Sequence, residues 1–178
     1  MNKAVFLDRD GTMAENVNYC SSPDDFELFP STGQAIKLFK DMGFKVIVIT
    51  NQSGIARGYF TEDTLTKIHS KMMCELAKDD VQLDAIYYCS HHPDDNCECR
   101  KPKPKLILQA AKDFDIDLAH SCMIGDFQSD ITLGKAVNCM TMLIAKQKSE
   151  AHKGWIDQPD TIVPDLLEAA KIVRRWNS

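Results

Sequence analysis

The sequence has 178 residues, of which 44% are hydrophobic and 26% charged, and its formal net charge is −5. These values predict one domain, residues 1–178, with a core of ordinary size, and they argue against a nucleic-acid or anionic-membrane surface, which needs clustered Lys and Arg. No apolar run approaches the roughly 20 residues that span a bilayer, and the N-terminus reaches acidic residues before a signal-peptide core could form. We expect a cytoplasmic monomer that binds a small molecule rather than nucleic acid or a membrane.

Apolar runs of strand length alternate with runs of helical period along the chain. In chain order we predict a strand at Lys3–Leu7, a helix opening at Pro30, a strand at Phe44–Thr50, a helix capped by Thr61, a strand at Asp84–Cys89, a helix opening at Pro104, a strand at Ser121–Asp126, a helix at Ile131–Asn138, a strand at Cys139–Ile144 and a helix at Leu166–Trp176. This alternation predicts an α/β fold, a single Rossmann-like parallel sheet with helices on both faces and right-handed crossovers. The segments after Asp10 and Thr50 are too short for a large cap domain, and the stretch with Lys146–Lys148 and His152–Gly154 is predicted to be a solvated surface loop.

Polar side chains follow the predicted strands at the points where the strands end, which is where open α/β sheets bind ligands. They are Asp8 and Asp10 after the first strand, Thr50 and Asn51 after the second, Arg100 and Lys101 after the third, and Asp126 and Asp130 after the fourth. One edge of the sheet should therefore carry carboxylates, a hydroxyl group and cations.

Asp8 and Asp10 are two residues apart, so in an extended backbone both side chains project to one side and Arg9 points away. Two carboxylates at close range need a cation between them. Asp126 could join them from a neighbouring strand, and hard oxygen ligands suit Mg²⁺. We predict a Mg²⁺ site formed by Asp8, Asp10 and Asp126, with a pair of solvated loop acids as the alternative.

A second cluster lies between the third strand and the following helix. Cys89-x-His91, followed after five residues by Cys97-x-Cys99, offers three thiolates and one imidazole within eleven residues. This set suits tetrahedral Zn²⁺, and a closed site with four ligands is structural rather than catalytic. Zinc would hold this loop in place, and reduced thiols without metal are the alternative. The other cysteines are predicted to be small buried residues: Cys20, Cys74, Cys122 and Cys139.

Four motifs resemble those of the haloacid dehalogenase superfamily and occur in the same order. Phe6–Thr12 resembles its nucleophile motif, Thr50 and Lys101 match its second and third motifs, and Gly125–Asp130 matches the fourth. Because the four motifs span residues 6 to 130, a chance match is very improbable. The resemblance implies a parallel α/β phosphatase fold.

The same resemblance implies a Mg²⁺-dependent phosphatase that acts through an aspartyl phosphate. Asp8 would attack phosphorus, and Asp10 would protonate the leaving alkoxide and then activate the water that hydrolyses the intermediate. The Thr50 hydroxyl and the Lys101 ammonium would neutralise the phosphoryl oxygens together with Mg²⁺. Asp130 would orient its surroundings or bind metal through water.

The sequence resembles one branch of the superfamily, the heptose bisphosphate and histidinol-phosphate phosphatases, in three segments: the Cys/His loop, the Asp-Arg-Asp-Gly-Thr form and the stretch Thr50–Gly58. Within this branch it resembles the heptose enzymes more closely than the histidinol-phosphate enzymes. This implies removal of the 7-phosphate of D-glycero-D-manno-heptose 1,7-bisphosphate, in precursor synthesis for lipopolysaccharide or related glycans. Hydrolysis of histidinol phosphate in histidine synthesis is the alternative. The branch also implies His91 as the fourth zinc ligand. The substrate-binding residues that it implies are Asn16, Tyr19, Asn51, Gln52, Ser53 and Arg100.

Several roles stay open at this level. Asn16–Tyr19 and Phe127 depart from the family's usual residues at these positions. Arg57 could bind substrate or pair with an acid on the following helix, and only family position favours Lys101 over Lys103. A phosphate-binding module without catalysis and a polynucleotide 3′-phosphatase are rival hypotheses. The complete set of motif residues argues against the first, and the acidic total argues against the second.

Overall fold

The computed structural model describes residues 1–145 and 151–176. The Lys146–Lys148 part of the predicted surface loop therefore lies outside the described residues, whereas His152–Gly154 forms part of a 3₁₀ turn. The strands are β1 (Ala4–Leu7), β2 (Lys45–Asn51), β3 (Ala85–Cys89), β4 (Cys122–Gly125), β5 (Met140–Ile144) and β6 (Thr161–Val163). The helices are α1 (Thr32–Asp41), α2 (Glu62–Ala77), α3 (Lys105–Asp113), α4 (Gln128–Ala136) and α5 (Leu166–Trp176). Short 3₁₀ turns lie at Pro23–Asp25, Pro93–Asp95, Leu118–His120 and Ala151–Gly154.

These strands form a parallel sheet in the order β3-β2-β1-β4-β5-β6. The chain winds outward from β1 in both directions, so the order of strands reverses between β1 and β4. Leu7 pairs with Val48 on one side and with Ile124 on the other, so the carboxyl ends of the three strands lie at one edge, with β2 continuing three residues further to Asn51. Ligands bind at such a reversal point in open α/β sheets. The predicted Rossmann-like parallel sheet is confirmed.

The side chains of β1 alternate between two apolar layers, as a strand that is covered on both faces requires. Val5 and Leu7 pack with buried residues of α1, α2 and α5, while Ala4 and Phe6 pack with those of α3 and α4. Helices therefore cover both faces of the sheet, as predicted. Among the described residues no inserted segment forms a separate cap over the carboxyl edge.

The caps of two helices follow the predicted local chemistry. The Thr61 hydroxyl accepts a hydrogen bond from the backbone N–H of Thr64 at 3.2 Å at the start of α2. Gly43, just beyond α1, has a φ of +82°, which is a left-handed conformation that glycine adopts without strain.

Three expectations about the elements were wrong. The sheet has a sixth strand, β6, whose three residues are too few to show a period of two. Helix α4 begins at Gln128, three residues earlier than predicted, because the Asp130 carboxylate accepts a hydrogen bond from the Phe127 N–H at 3.2 Å and closes its first turn. Cys74 is exposed on α2, whereas Cys20, Cys122 and Cys139 are buried as expected.

Within the part of the chain that the structure describes, no helix combines the length and apolarity that a membrane crossing requires.

Candidate active site

A cavity of about 410 Å³ lies at the carboxyl ends of β1, β2 and β4. It contains every residue that was predicted for catalysis, substrate binding or Mg²⁺. These residues are Asp8, Asp10, Asn16, Tyr19, Thr50, Asn51, Gln52, Ser53, Arg100, Lys101 and Asp126. The volume falls in the range of small-molecule sites, and most of the lining residues are polar.

Lys101 forms part of the cavity floor and is only 5% exposed. Its ammonium nitrogen is 2.7 Å from Asp8 Oδ1, 2.7 Å from Asp130 Oδ1 and 2.7 Å from the Ile49 carbonyl oxygen. Burial alone would lower the pKa of Lys101, but the Asp130 and Asp8 carboxylates raise it well above the ordinary lysine value. The ammonium group is therefore a permanent positive charge next to Asp8.

Lys103 makes a different set of contacts, so the structure separates the two candidate lysines. Its ammonium group donates to Glu98 Oε1 and to the Asn96 carbonyl oxygen, each at 2.8 Å, on the surface of the loop.

The backbone of Lys101 is held to the end of β2 by two reciprocal hydrogen bonds with Asn51. The Asn51 amide donates to the Lys101 carbonyl oxygen at 3.2 Å, and the Lys101 N–H donates to Asn51 Oδ1 at 3.0 Å.

Three carboxylates meet beside Lys101. Asp8, Asp126 and Asp130 each offer one oxygen, and these atoms lie within 4.8 Å of one another. Burial, with the nearby Asp8 and Asp130 charges, raises the pKa of Asp126 to about 7. A Cβ atom at Gly11 would lie 2.0 Å from Asp126 Oδ2, so only glycine permits this close approach. Crowded carboxylate oxygens of this kind fit a hard divalent cation.

Asp10 lies in the cavity, but its carboxylate is bound to other groups. Arg9 donates from Nε to Oδ1 at 3.0 Å and from NH2 to Oδ2 at 2.9 Å, and Gln52 donates to Oδ2 at 2.9 Å. The expectation that Arg9 points away from Asp10 was wrong. It assumed an extended backbone, whereas β1 ends at Leu7 and the Ala14 N–H already bonds back to the Arg9 carbonyl oxygen at 3.1 Å. The sequence signal for this contact was the position of an arginine between two aspartates.

The end of β2 and the loop that follows it contribute three polar residues that are almost fully buried, Thr50, Gln52 and Ser53. The Gln52 amide donates to the Thr50 hydroxyl oxygen at 2.9 Å. Arg100 borders the same cavity, and its buried NH1 nitrogen has no hydrogen-bond partner among the described residues. A buried cationic donor without a partner is costly, so this nitrogen favours an anionic ligand.

One wall of the cavity is aromatic. Tyr19 has a φ of +53°, and its ring makes an edge contact with the Tyr59 ring at a centroid distance of 4.8 Å. The Arg57 guanidinium carbon lies 5.7 Å from the centre of the Tyr19 ring, so Arg57 supports this wall through a cation–π contact. Phe127 lines the mouth of the cavity and is 65% exposed.

The four predicted zinc ligands also converge. One donor atom from each of Cys89, His91, Cys97 and Cys99 lies within 4.8 Å of the other three. The sulfur atoms of Cys89 and Cys97 are 3.5 Å apart, and those of Cys97 and Cys99 are 3.6 Å apart. These two separations are close to the roughly 3.8 Å edge of a tetrahedron with metal–sulfur bonds of about 2.3 Å, and the third, between the sulfur atoms of Cys89 and Cys99, is shorter at 2.9 Å. The cluster could therefore hold a metal ion.

His92 is not part of this cluster. Its Nδ1 accepts a hydrogen bond from the Asp94 N–H at 3.3 Å, and its own N–H donates to Asp95 Oδ2 at 2.8 Å. These two bonds cap the 3₁₀ turn that follows, so the structure places His91 rather than His92 among the sulfur atoms.

Comparison with known proteins gives concordant matches. A family model described as HAD-hydrolase-like matches residues 98–169. The D-glycero-β-D-manno-heptose-1,7-bisphosphate 7-phosphatase of Haemophilus influenzae is 38% identical, with 98% of each chain covered. The protein of the same name from Escherichia coli is 42% identical, covering 97% of this chain and 94% of that protein.

Solved structures agree with these relatives. The crystal structure of D,D-heptose 1,7-bisphosphate phosphatase from B. bronchiseptica, complexed with magnesium and phosphate, superposes with a TM-score of 0.87 at 34% identity. The match covers 98% of this chain and 99% of that one. The resemblance inferred from the motifs is confirmed, and the chain belongs to the D-glycero-D-manno-heptose-1,7-bisphosphate 7-phosphatase family of haloacid dehalogenase-like hydrolases.

Proposed function

We propose that this chain is a Mg²⁺-dependent phosphatase that removes the 7-phosphate of D-glycero-D-manno-heptose 1,7-bisphosphate through an aspartyl phosphate on Asp8. The observation that carries the proposal is the pairing of Asp8 with the buried Lys101 ammonium at 2.7 Å on the floor of a polar cavity. The names of the relatives supply the substrate. The reaction would serve precursor synthesis for lipopolysaccharide or related glycans.

In this mechanism Asp8 attacks phosphorus while the bond to the sugar oxygen breaks, and Asp10 gives that oxygen a proton. Asp10 then takes a proton from the water that attacks the aspartyl phosphate, which releases phosphate and restores Asp8. The Lys101 ammonium and the Thr50 hydroxyl would stabilise the phosphoryl oxygens, since both are fixed in the cavity before substrate arrives.

Mg²⁺ would be held by the carboxylates of Asp8 and Asp126. Asp10, the third predicted ligand, has its carboxylate on Arg9 and Gln52, with one position on Oδ1 left for the proton transfers, so its backbone carbonyl oxygen is the atom that it would offer to the metal. The bound ion would neutralise the phosphoryl group and offset the repulsion among the acids. Asp130 would act by holding Lys101, with which it forms a buried ion pair at 2.7 Å.

The second phosphate of the substrate would bind Arg100, whose buried NH1 nitrogen lacks a partner in the described structure. A guanidinium group can bind a phosphate with two parallel hydrogen bonds. Asn16, Tyr19, Asn51, Gln52 and Ser53 would surround the sugar. This use of Arg100 favours a bisphosphate over histidinol phosphate, which has a single phosphate group.

The test of the function is a comparison of kcat/KM for phosphate release from heptose 1,7-bisphosphate and from histidinol phosphate, each with Mg²⁺. We expect a preference of about 10²-fold or more for the heptose, because histidinol phosphate leaves the Arg100 guanidinium without its anion. A preference for histidinol phosphate would reject the heptose assignment and would move the protein to histidine synthesis.

We further propose that the Cys/His cluster binds structural Zn²⁺. Three thiolates and an imidazole make a closed set of four ligands, which leaves no position for substrate. The loop that carries them leads directly to Arg100 and Lys101, so the metal would fix both cations beside the phosphate. Zinc-bound thiolates and seven cysteines without a disulfide are consistent with a reducing compartment, so we propose that the protein is cytoplasmic. We also propose that it is a monomer and that residues 1–178 form one domain.

Cys97→Ser is expected to lower the zinc content of the purified protein from about one ion per chain to at most about a tenth of that, because the tetrahedral set loses a ligand. The melting temperature should fall with it. Metal content by elemental analysis and thermal unfolding are the measurements, and Cys74→Ser, at an exposed site on α2, is the matched control. Zinc content that is the same in both variants, or absent from the parent, would refute the zinc site.

A further inference from the structure

The side chain between the two catalytic aspartates is a buried arginine. Arg9 is only 1% exposed, and an arginine is almost never buried unless it has a partner. Its Nε and NH2 groups donate to the two oxygens of Asp10 at 3.0 and 2.9 Å. Two parallel hydrogen bonds from a planar guanidinium group define the plane of a carboxylate as well as its position. The orientation of Asp10 is therefore coupled to that of Arg9.

The far side of the guanidinium group is held by residues from distant parts of the chain. Arg9 NH1 lies 3.4 Å from His69 Nε2 on α2, and the Phe26 ring lies 5.8 Å from the guanidinium carbon. The His69 ring makes an edge contact with Tyr88 of β3 at 6.0 Å. Burial and the Arg9 charge lower the pKa of His69 to about 4, so its ring is neutral near pH 7 and Nε2 can accept the Arg9 hydrogen bond.

The hydrogen bonds of Asp10 are distributed unequally over its two oxygens. Oδ2 accepts from Arg9 and from Gln52, whereas Oδ1 accepts from Arg9 alone. A carboxylate has about four lone-pair positions, two on each oxygen. Oδ1 therefore keeps one position free, and Asp10 borders the cavity next to Asp8.

We propose that Arg9, supported by His69, is the positioning residue that holds Asp10 for both proton transfers, with Oδ1 as the atom that carries the proton. This inference rests on the proposed function. Oδ1 gives its proton to the sugar oxygen as the bond from that oxygen to phosphorus breaks. Oδ1 then takes one proton from the attacking water, so each turnover returns Asp10 to its starting state. Arg9 itself is not among the residues that line the cavity.

The first test separates the two proton transfers with Arg9→Lys, which keeps the charge and removes the planar fork. 4-Nitrophenyl phosphate has a leaving group that needs no proton, so formation of the aspartyl phosphate should proceed at the parent rate within about threefold. Its hydrolysis needs an oriented base and should slow by about 10²-fold. The expected result is a burst of one nitrophenolate per chain followed by slow turnover, with kcat and KM lowered together and kcat/KM little changed. A burst and a steady-state rate that fall together would overturn the proposal.

The second test uses His69, which stands outside the cavity lining and keeps the proposal testable if Arg9→Lys folds poorly. His69→Phe removes the acceptor for Arg9 but keeps a ring, and it should show the same burst with a loss in kcat of about tenfold. His69→Gln supplies an amide oxygen as acceptor and should restore most of that loss. Equal kcat values for the two variants would reject the part assigned to His69.

A matched control is Ile68→Val, a mild change at a fully buried position next to His69 on α2. It should leave the ratio of burst to steady-state rate at the parent value. A burst in this variant would mean that loosening of α2 alone produces the burst, without the loss of the contact between His69 and Arg9. Measurements on the parent enzyme distinguish a failure of the proposed function from a failure of the proposal for Arg9. Failure of the parent to release phosphate from heptose bisphosphate would reject the proposed substrate, while the nitrophenolate burst would still decide the role of Arg9.

Discussion

Asp8→Asn is expected to lower kcat by about 10⁴-fold or more, because an amide cannot form the aspartyl phosphate on which both steps depend. Phosphate release from heptose bisphosphate, followed with excess Mg²⁺, measures the loss. The substitution removes one of three crowded carboxylates, and Lys101 keeps its ion pair with Asp130. The variant should therefore fold, and the loss should not come from unfolding.

The control for this prediction is Asp24→Asn, at an exposed position in the 3₁₀ turn Pro23–Asp25. Its kcat should stay within about twofold of the parent, since surface substitutions seldom change stability by more than about 0.5 kcal/mol. Retention of more than about a hundredth of the parent kcat by Asp8→Asn would mean that another group forms the covalent bond or that water attacks phosphorus directly.

Lys101→Met is expected to lower both stability and activity, for one electrostatic reason. Methionine keeps an unbranched side chain but leaves the buried Asp130 carboxylate and the nearby Asp8 carboxylate without their shared cation. Breaking a buried ion pair on one side typically lowers the free energy of unfolding by about 3–5 kcal/mol. Loss of a fixed positive charge beside the phosphoryl oxygens should lower kcat by about 10²–10³-fold.

Lys103→Met is the matched control, two residues along the same loop. Its partner is the exposed Glu98, and a surface ion pair contributes at most about 1 kcal/mol. Urea unfolding and single-turnover kinetics on both variants are the measurements. Similar losses at the two positions would show that the loop as a whole, rather than the Lys101 ammonium, supports the site.

The charges around Asp8 explain why these two predictions differ. In the proposed mechanism Asp8 supplies the reacting atom, so no other group in the cavity can replace it. Lys101 would stabilise the phosphoryl oxygens through its positive charge, an effect that it would share with Thr50 and with the proposed Mg²⁺. Removal of the lysine should therefore leave a measurable residual rate, whereas removal of the nucleophile should not.

Much of this protein was determined by local patterns that the sequence shows by itself. The periods of apolar residues predicted the parallel sheet, because strands and helices that bury one or both faces carry that pattern wherever they lie. Polar residues directly after the strands predicted the edge that carries the cavity, and the spacing of Cys89, His91, Cys97 and Cys99 predicted their convergence. The three-residue strand β6 was too short to carry any such signal.

The tertiary structure alone decided which polar groups meet. Lys101 and Lys103 are indistinguishable by local pattern, yet only Lys101 reaches Asp8, which is 93 positions away in sequence. Arg9 was expected to point away from Asp10, but a turn after β1 brings its guanidinium group onto that carboxylate and against His69. Such contacts depend on how several elements pack around one buried charge, and the free-energy cost of leaving that charge unpaired selects the arrangement.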